Sequence, residues 1–501
     1  MAFAITQTCC NDASCVSVCP VNCIHPTPDE PDFGTTEMLY VDPATCIDCG
    51  ACADACPVDA IFPTDLLTGP LEVYAGINAD YFAGQDAAAA VNPAPNFHRW
   101  GPPSFDRAVP SDFTAPDVAV VGTGPAGMYA VEDLLLHTDA QVTLIDRLPV
   151  AGGLVRYGVA PDHPATKRIG ETFSRFHSHP RLRLRLGVEV GRHVTAAELA
   201  ERHDAVIYAV GASAARSLGL TGEQLPGSVA ATTVVGWYNG HPDVPADAID
   251  LSAERVVLIG TGNVALDVAR ILTADPGELA GTSIAPHALE RLRSSKVREV
   301  VLLARRGPED AACTSPELLA LTQRESVPLV VDDEDPRTAA AIDTGHGKAG
   351  LLRGLDREAV DWTAPPPDGP RRIVLRFHSA PSGITGDTQV RGLRATGPAG
   401  PVEIAAGQVV RAVGYRGTPV PGLPFDEATG TIPNTGGRVA GQPRHYVVGW
   451  IKRGPSGGIG ANRTCARETV AALVDDITSG RLPVRRSPRA GRLLGRLTRA
   501  R

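Results

Sequence analysis

At 501 residues, 43% hydrophobic and 21% charged, the chain is too long for one core and has the composition of a globular protein of roughly two to four domains. It contains no run of about 18 apolar residues, which argues against a membrane-spanning helix, and the opening MAFAITQTCCND lacks the basic start of a signal peptide. A cytoplasmic location is the expectation. The net charge of −9 hides an asymmetry: residues 1–98 hold 13 acidic side chains and no Lys or Arg, leaving 43 acidic against 47 basic residues beyond them. From Arg481 to Arg501 there are eight arginines and no acid. An acidic head of this kind is expected to dock on a basic face elsewhere in the chain.

Nine of the eleven cysteines precede residue 57, which points to metal or redox chemistry rather than to disulfides. Residues 1–75 form a Cys- and Pro-rich unit with two related runs. The second run is Cys46-x2-Cys49-x2-Cys52-x3-Cys56-Pro57, and the first is Cys9-x2-Asp12-x2-Cys15-x3-Cys19-Pro20. Both fit the spacing in which three cysteines of one run bind one iron–sulfur cluster and the fourth reaches across to the other. Cys46, Cys49, Cys52 and Cys19 would hold a [4Fe–4S] cluster. Cys9, Cys15 and Cys56 would hold a second, either [3Fe–4S] or a [4Fe–4S] cluster in which Asp12 ligates the fourth iron. Zinc has no need of a four-Cys run ending in Pro. Cys10 and Cys23 read as packed thiols beside the clusters. Cys313 and Cys465 stand alone, and neither forms the Cys-x-x-Cys pair of a dithiol step.

Residues 76–114 are rich in Ala, Pro, Asn and Gly and read as a linker. A strand–turn–helix pattern follows, DVAVVGTGPAGMYAVEDLLLH, with Gly122-x-Gly124-x-x-Gly127 at its turn and Asp146 closing the next strand, VTLID. Gly122 suits a tight turn, Gly124 admits a pyrophosphate, Gly127 lets helix pack on strand, and Asp146 suits ribose hydroxyls. A second unit, ERVVLIGTGNVALDVARIL, carries Gly260-x-Gly262-x-x-Ala265, and its next strand ends in Arg305-Arg306 instead of an acid. Guanidinium groups there suit the 2′-phosphate of NADP. Two dinucleotide sites beside clusters point to one flavin, FAD, and one nicotinamide, NADP(H). Residues 333–400 are heavy in Pro, Gly and Asp and show no strong periodicity, while the segment 482–501 reads as a basic tail.

The segments GTGPAGMYA, GGLVRYGVAPDHP, GTGNVALDVARIL, ARRGP and GWIKRGPSGGIGAN resemble, in this order, the adrenodoxin-reductase-type ferredoxin–NADP reductases. Residues 1–75 resemble bacterial seven- or eight-iron ferredoxins, so the whole chain is similar to ferredoxin/ferredoxin–NADP reductase fusions. The resemblance implies an α+β two-cluster ferredoxin domain (1–75) and a linker (76–114). An α/β flavoprotein reductase follows, with Rossmann-like FAD (115–215 and 415–481) and NADP (216–414) domains. It implies FAD contacts at Gly122, Gly124, Ala126, Gly127, Asp146, Leu154, Val190, Trp450, Gly457, Gly458 and Ile459. NADP contacts are implied at Thr261, Gly262, Asn263, Val264, Arg305, Arg306, Glu317 and Gly457. His163 and Asp267 match a pair that relatives place near the interdomain cleft, and no residue is expected to serve as a general acid or base. The implied activity is NADPH–ferredoxin oxidoreduction, with FAD between a two-electron donor and one-electron clusters. The implied acceptor is a ferredoxin or a cytochrome P450 system. Two rival readings are a glutamate-synthase-small-subunit-like electron donor and a non-enzymatic redox-sensing protein.

Overall fold

The computed structural model describes residues 2–83, 109–345, 347–397 and 400–485. Most of the linker and the tail from 486 onward lie outside the described residues. By contact the chain groups into two units, one made of Met1–Arg99, Arg156–Arg168 and Ala214–Tyr415, the other of Trp100–Val155, Ile169–Ser213 and Arg416–Arg501.

In the first unit the cysteine head is built from very short elements. Strands Phe3–Ile5 and Ile61–Pro63 pair antiparallel, as do Ile24–His25 and Tyr40–Val41. Helices Ser14–Val18 and Ala51–Ala55 each end on a fourth cysteine, Cys19 or Cys56, in extended conformation. The two runs are copies of one backbone: Asn11 and Ala13 have φ of 55° and 58° where Asp48 and Gly50 have 59° and 74°. Glycine takes the left-handed conformation freely, whereas Ala13 does so at a cost of roughly 1–2 kcal/mol. Such a cost is tolerated where backbone N–H groups must converge on something. Helix Val73–Phe82 closes the head through Asn78, which is buried. Its carboxamide accepts from Ile5 N (3.1 Å) and Val41 N (2.9 Å) and donates to Ile5 O and Tyr74 O (both 2.8 Å), so one side chain ties two strands to the helix.

The same unit holds a seven-stranded, wholly parallel sheet in the order Ser228–Ala230, Gln408–Arg411, Arg255–Ile259, Glu299–Leu303, Arg372–Arg376, Leu329–Asp332, Asp356–Glu358. Its central strands, RVVLI and EVVLL, are buried throughout, as a parallel sheet covered on both faces requires. Helix Asn263–Thr273 covers one face with Ala265, Leu266, Val268, Ala269, Ile271 and Leu272. Glu299 is fully buried but stands in register between Arg255 and Arg372, and both guanidinium groups donate to its carboxylate. The stretch without periodicity contains a three-stranded antiparallel sheet, Ala380–Thr385, Gly392–Gly397 and Gly400–Ala405.

The second unit carries another seven-stranded sheet, with five parallel strands ordered His445–Val447, Ala205–Tyr208, Asp117–Val121, Gln141–Asp146, Leu182–Leu186. Two short antiparallel strands, Asn434–Thr435 and Arg438–Val439, extend one edge. The chain leaves this unit after Ser213 and returns at Arg416, so the strand beside Ala205–Tyr208 comes from the far end of the sequence. Helix Ala461–Thr478 packs along helix Pro125–His137.

Candidate cofactor sites

Two small cysteine-lined cavities lie in the head. Cys9, Cys15 and Cys56 line the first together with Asp12 and Cys10. Cys19, Cys46, Cys49 and Cys52 line the second together with Cys23. The crossing of the fourth cysteine from each run to the other cavity follows from the extended ends of the two short helices. Burial pushes the Cys9 and Cys52 thiols up to about 11 and raises Cys10, Cys15 and Cys56 as well. Cys19 runs the other way: the Cys23 thiol, 3.4 Å distant, hydrogen-bonds it and pulls its pKa down to about 6. Buried neutral thiols at this density are poor structural elements by themselves, and an iron centre that draws off their protons is the chemistry that fits them. Asp12 also accepts from Ser14 N at 3.3 Å and from the Ser14 hydroxyl, so its carboxylate is held at the mouth of the first helix.

In the second unit, Gly122 (φ 114°) turns so tightly that a Cβ would lie 2.3 Å from the Ala209 carbonyl oxygen. At Gly127 a Cβ would lie 1.9 Å from Gly122 O, which sets the helix directly on the turn. Asp146 is buried and braces the same loop: Oδ2 accepts from Thr123 N (2.8 Å) and Oγ1 (2.5 Å), and Oδ1 accepts from Leu148 N (2.9 Å). Gly153 stacks on Gly124, bringing Leu154, 36% exposed, next to the turn. Val190 follows Val188, whose N–H donates to Asp146 O at 2.9 Å. Gly449 (φ 78°) lies against Ala126, where a Cβ would be 2.5 Å from the Ala126 Cβ. This contact brings the distant return segment to the first turn. Trp450 Nε1 donates to Ser456 O and Gly457 O (3.1 and 3.2 Å), and Asn462 donates to Gly458 O at 3.0 Å, fixing the Gly457–Gly458–Ile459 turn. Cys465, which the sequence left without a role, accepts from Gly449 N at 3.2 Å as a packed thiol. Thus Gly122, Gly124, Ala126, Gly127, Asp146, Leu154, Trp450 and the Gly457 turn form one cradle.

In the first unit, Gly260 (φ 120°) repeats the tight turn, with a Cβ 2.5 Å from Ala412 O. Gly262 differs: a Cβ there would meet nothing within 4 Å, so the backbone at the N-terminus of helix Asn263–Thr273 faces open space. That suits a phosphate group. Asn263 Oδ1 accepts from Thr314 N at 2.8 Å, and Thr261 Oγ1 accepts from Ala312 N at 3.4 Å. Val264 is partly buried against the core of this unit. Arg305 and Arg306 follow strand Glu299–Leu303 and are exposed; Arg306 lies 3.6 Å from Asp310. Glu317 sits on helix Ser315–Thr322.

His163 and Asp267 lie 3.3 Å apart within this unit. Sequence reasoning missed the group that organises them. Arg270, nearly buried, donates to Asp162 (2.6 and 3.0 Å) and to Asp267 (2.7 Å), contacts the His163 ring, and lies 3.9 Å from Glu317. Burial opposes the charged ring of His163, but the hydrogen bond it donates to Asp267 prevails and raises its pKa. Burial likewise opposes the ionised Asp267, and His163 with Arg270 holds its pKa down. Burial raises that of Glu317. His163, Asp267 and Glu317 have the spacing of a cation site, yet Arg270 already supplies the positive charge there.

Two glycine turns opening onto helix N-termini, one ending in an acid and one in paired arginines, together with cysteine-lined cavities, define a flavin- and nicotinamide-dependent oxidoreductase with an iron–sulfur head. Residues 116–306 match the pyridine nucleotide-disulphide oxidoreductase family, and residues 39–62 match the 4Fe-4S binding domain. A probable ferredoxin/ferredoxin–NADP reductase of Mycobacterium tuberculosis is 48% identical over 495 residues, spanning 96% of this chain and 85% of the relative. The NADPH-ferredoxin reductase FprA of the same organism is 46% identical over 390 residues, spanning 72% of this chain and 84% of its own. The solved structure of M. tuberculosis FprA in complex with NADPH superposes with a TM-score of 0.68 at 42% identity, covering 76% of this chain and 89% of that one. The chain belongs to the ferredoxin/ferredoxin–NADP reductase family. Among the described residues no helix is long and apolar enough to cross a membrane.

Proposed function

We propose that this chain is an NADPH–ferredoxin oxidoreductase whose nicotinamide site, flavin site and two-cluster head act in series. FAD, when bound, takes two electrons from NADPH as a hydride and releases them singly to iron–sulfur clusters. The chain's own residues do the positioning. Asp146 holds the first turn and offers its remaining lone pairs to a ribose. The N-terminus of helix Pro125–His137 and the Gly457–Ile459 turn frame the flavin, with Trp450 fixed beside them. The backbone from Thr261 to Val264 receives the NADP phosphates, while Arg305 and Arg306 hold the 2′-phosphate. In the domain division that goes with this reading the head runs on through helix Val73–Phe82, which takes in the first residues expected to be linker, instead of ending at 75; the rest is 115–215 with 415–481, and 216–414. A soluble ferredoxin or a cytochrome P450 system is the acceptor class it favours, in a cytoplasmic setting.

The observation that carries this reading is the sorting of seven cysteines into two separate cavities by the crossing of Cys19 and Cys56. We assign a [4Fe–4S] cluster to the cavity of four cysteines and a [3Fe–4S] or Asp12-ligated [4Fe–4S] cluster to the other. A carboxylate is a harder ligand than a thiolate and holds the fourth iron less firmly. Protein handled in air should therefore show the EPR signal of an oxidised [3Fe–4S] centre, which iron and reductant convert anaerobically to [4Fe–4S]. Asp12→Cys should remove that signal. Two intact [4Fe–4S] clusters in aerobic wild type, one of them lost in Cys10→Ala and kept in Asp12→Ala, would make Cys10 the ligand instead.

A further inference from the structure

Helix Ser315–Thr322 begins at Thr314, yet the Thr314 side chain does not cap it. The exposed amide of its first turn is met from the head: Ser315 N donates to Glu37 Oε2 at 2.7 Å. Glu37 Oε1 lies 3.1 Å from Lys348 Nζ, and Lys348 also donates to Ala311 O at 3.1 Å. Glu37 is thus clamped between a helix N-terminus and an ammonium group, both of which favour a carboxylate. A second ion pair joins the head to the same unit, between Asp59 and Arg168.

Both anchors adjoin the same cavity. Leu39, two residues past Glu37, lines the cavity of Cys9, Cys15 and Cys56, and Val58 and Ala60, which flank Asp59, line it too. The other cavity is lined by Ile47, 56% exposed, and by Cys49, also exposed, with Val18, 41% exposed, beside Cys19. Both anchors thus adjoin one cavity in the chain, whereas exposed side chains stand at the other.

We propose that Glu37 and Asp59 hold the head on the nucleotide-binding domain by its inner cavity, that of Cys9, Cys15 and Cys56, so that electrons leave the head from the outer cavity, that of Cys19, Cys46, Cys49 and Cys52. One electron moves at each step, supplied by NADPH through the flavin, and one cluster is reoxidised as the other is reduced. The outer cluster then passes the electron to an external one-electron acceptor protein. The loop of residues 311–315 is the joint, since Asn263 and Thr261 of the nucleotide turn bind it from one side and Glu37 and Lys348 from the other. The Asp59–Arg168 pair is about half exposed on each side and holds weakly in salt, which leaves Glu37 as the main anchor.

The inference rests on the two-cluster reading, and the test separates the two. Hydrogen–deuterium exchange of the full-length, iron-replete protein reads the joint directly. In Glu37→Gln/Asp59→Asn, exchange in the peptide spanning 312–318 should rise about tenfold, while the peptide spanning 117–128 stays unchanged. Lys348→Met/Arg168→Met should reproduce the effect with the head sequence intact, which separates loss of docking from misfolding of the head. A dysprosium chelate in solution should speed the electron-spin relaxation of the outer cluster more than the inner one in wild type, and of both alike in either double variant. Unchanged exchange in both double variants, or an inner cluster that is the more accessible in wild type, overturns the proposal. A head that binds no iron would instead sink the two-cluster reading.

Discussion

Arg305 and Arg306 stand in solvent at the end of a buried strand, where burial gives no reason for two adjacent guanidinium groups. A charge-assisted hydrogen bond to a 2′-phosphate contributes roughly 1.5–3 kcal/mol for each. Replacing both with Ala should raise the KM for NADPH at least tenfold and leave activity with NADH nearly unchanged. Equal losses with both coenzymes would show that the pair supports only the fold. The place of these arginines was legible in the sequence because it follows a short-range pattern, the residue type that ends the strand after a glycine turn. The partners of His163 were not. Arg270 reads as an ordinary helical arginine until the chain brings Asp162 and Asp267 to it. The raised pKa of His163 has a testable sign. A ring held above its ordinary 6.5 contributes stability that is fully present below pH 6.5 and is lost as pH rises through the folded value. An NMR pH titration should place His163 above 6.5 in the wild type and lower in Asp267→Asn. A wild-type value at or below 6.5 contradicts the account of this cluster.

Among the elements, the two glycines of the turn before helix Asn263–Thr273 look alike in sequence and differ in what surrounds them. A Cβ at Gly260 would meet backbone, whereas one at Gly262 would meet only open space. Gly260→Ala should therefore lower the Tm by several degrees, consistent with a cost of about 1–3 kcal/mol for a strained position. Gly262→Ala should leave the Tm within error and weaken NADPH binding, as calorimetry of both variants would show. A loss of stability at Gly262 equal to that at Gly260 would remove the distinction. Strands such as RVVLI and EVVLL were legible because a buried parallel sheet leaves continuous apolar runs. The antiparallel sheet of 380–405 was not. Its strands carry Gly383, Gly392, Gly397 and Gly400, and at Gly392 a Cβ would lie 2.7 Å from Ile404 O, so close backbone approach replaces the apolar alternation that marks a strand.

Across the whole molecule, the acidic head and the excess of basic residues after it suggested attraction between parts, and the ion pairs of Glu37 and Asp59 give that attraction two specific places. No periodicity or motif marks Glu37, because its partners lie hundreds of positions away and include a backbone amide. The chain returns to the second unit at Arg416, and the contact of Gly449 with Ala126 that ties this segment to the first glycine turn has no mark in the sequence. The basic tail from residue 486 lies outside the described residues. In the proposed function one chain carries electrons from NADPH through FAD to two clusters. The most direct test is an anaerobic NADPH titration of the purified full-length protein, with iron and flavin counted beforehand and visible and EPR spectra taken at each addition. For this function, one FAD, iron sufficient for two clusters, and bleaching of flavin and cluster absorbance together with the appearance of reduced-cluster EPR signals are expected. Flavin that bleaches while the clusters stay oxidised, or a protein that holds a single cluster, would contradict it.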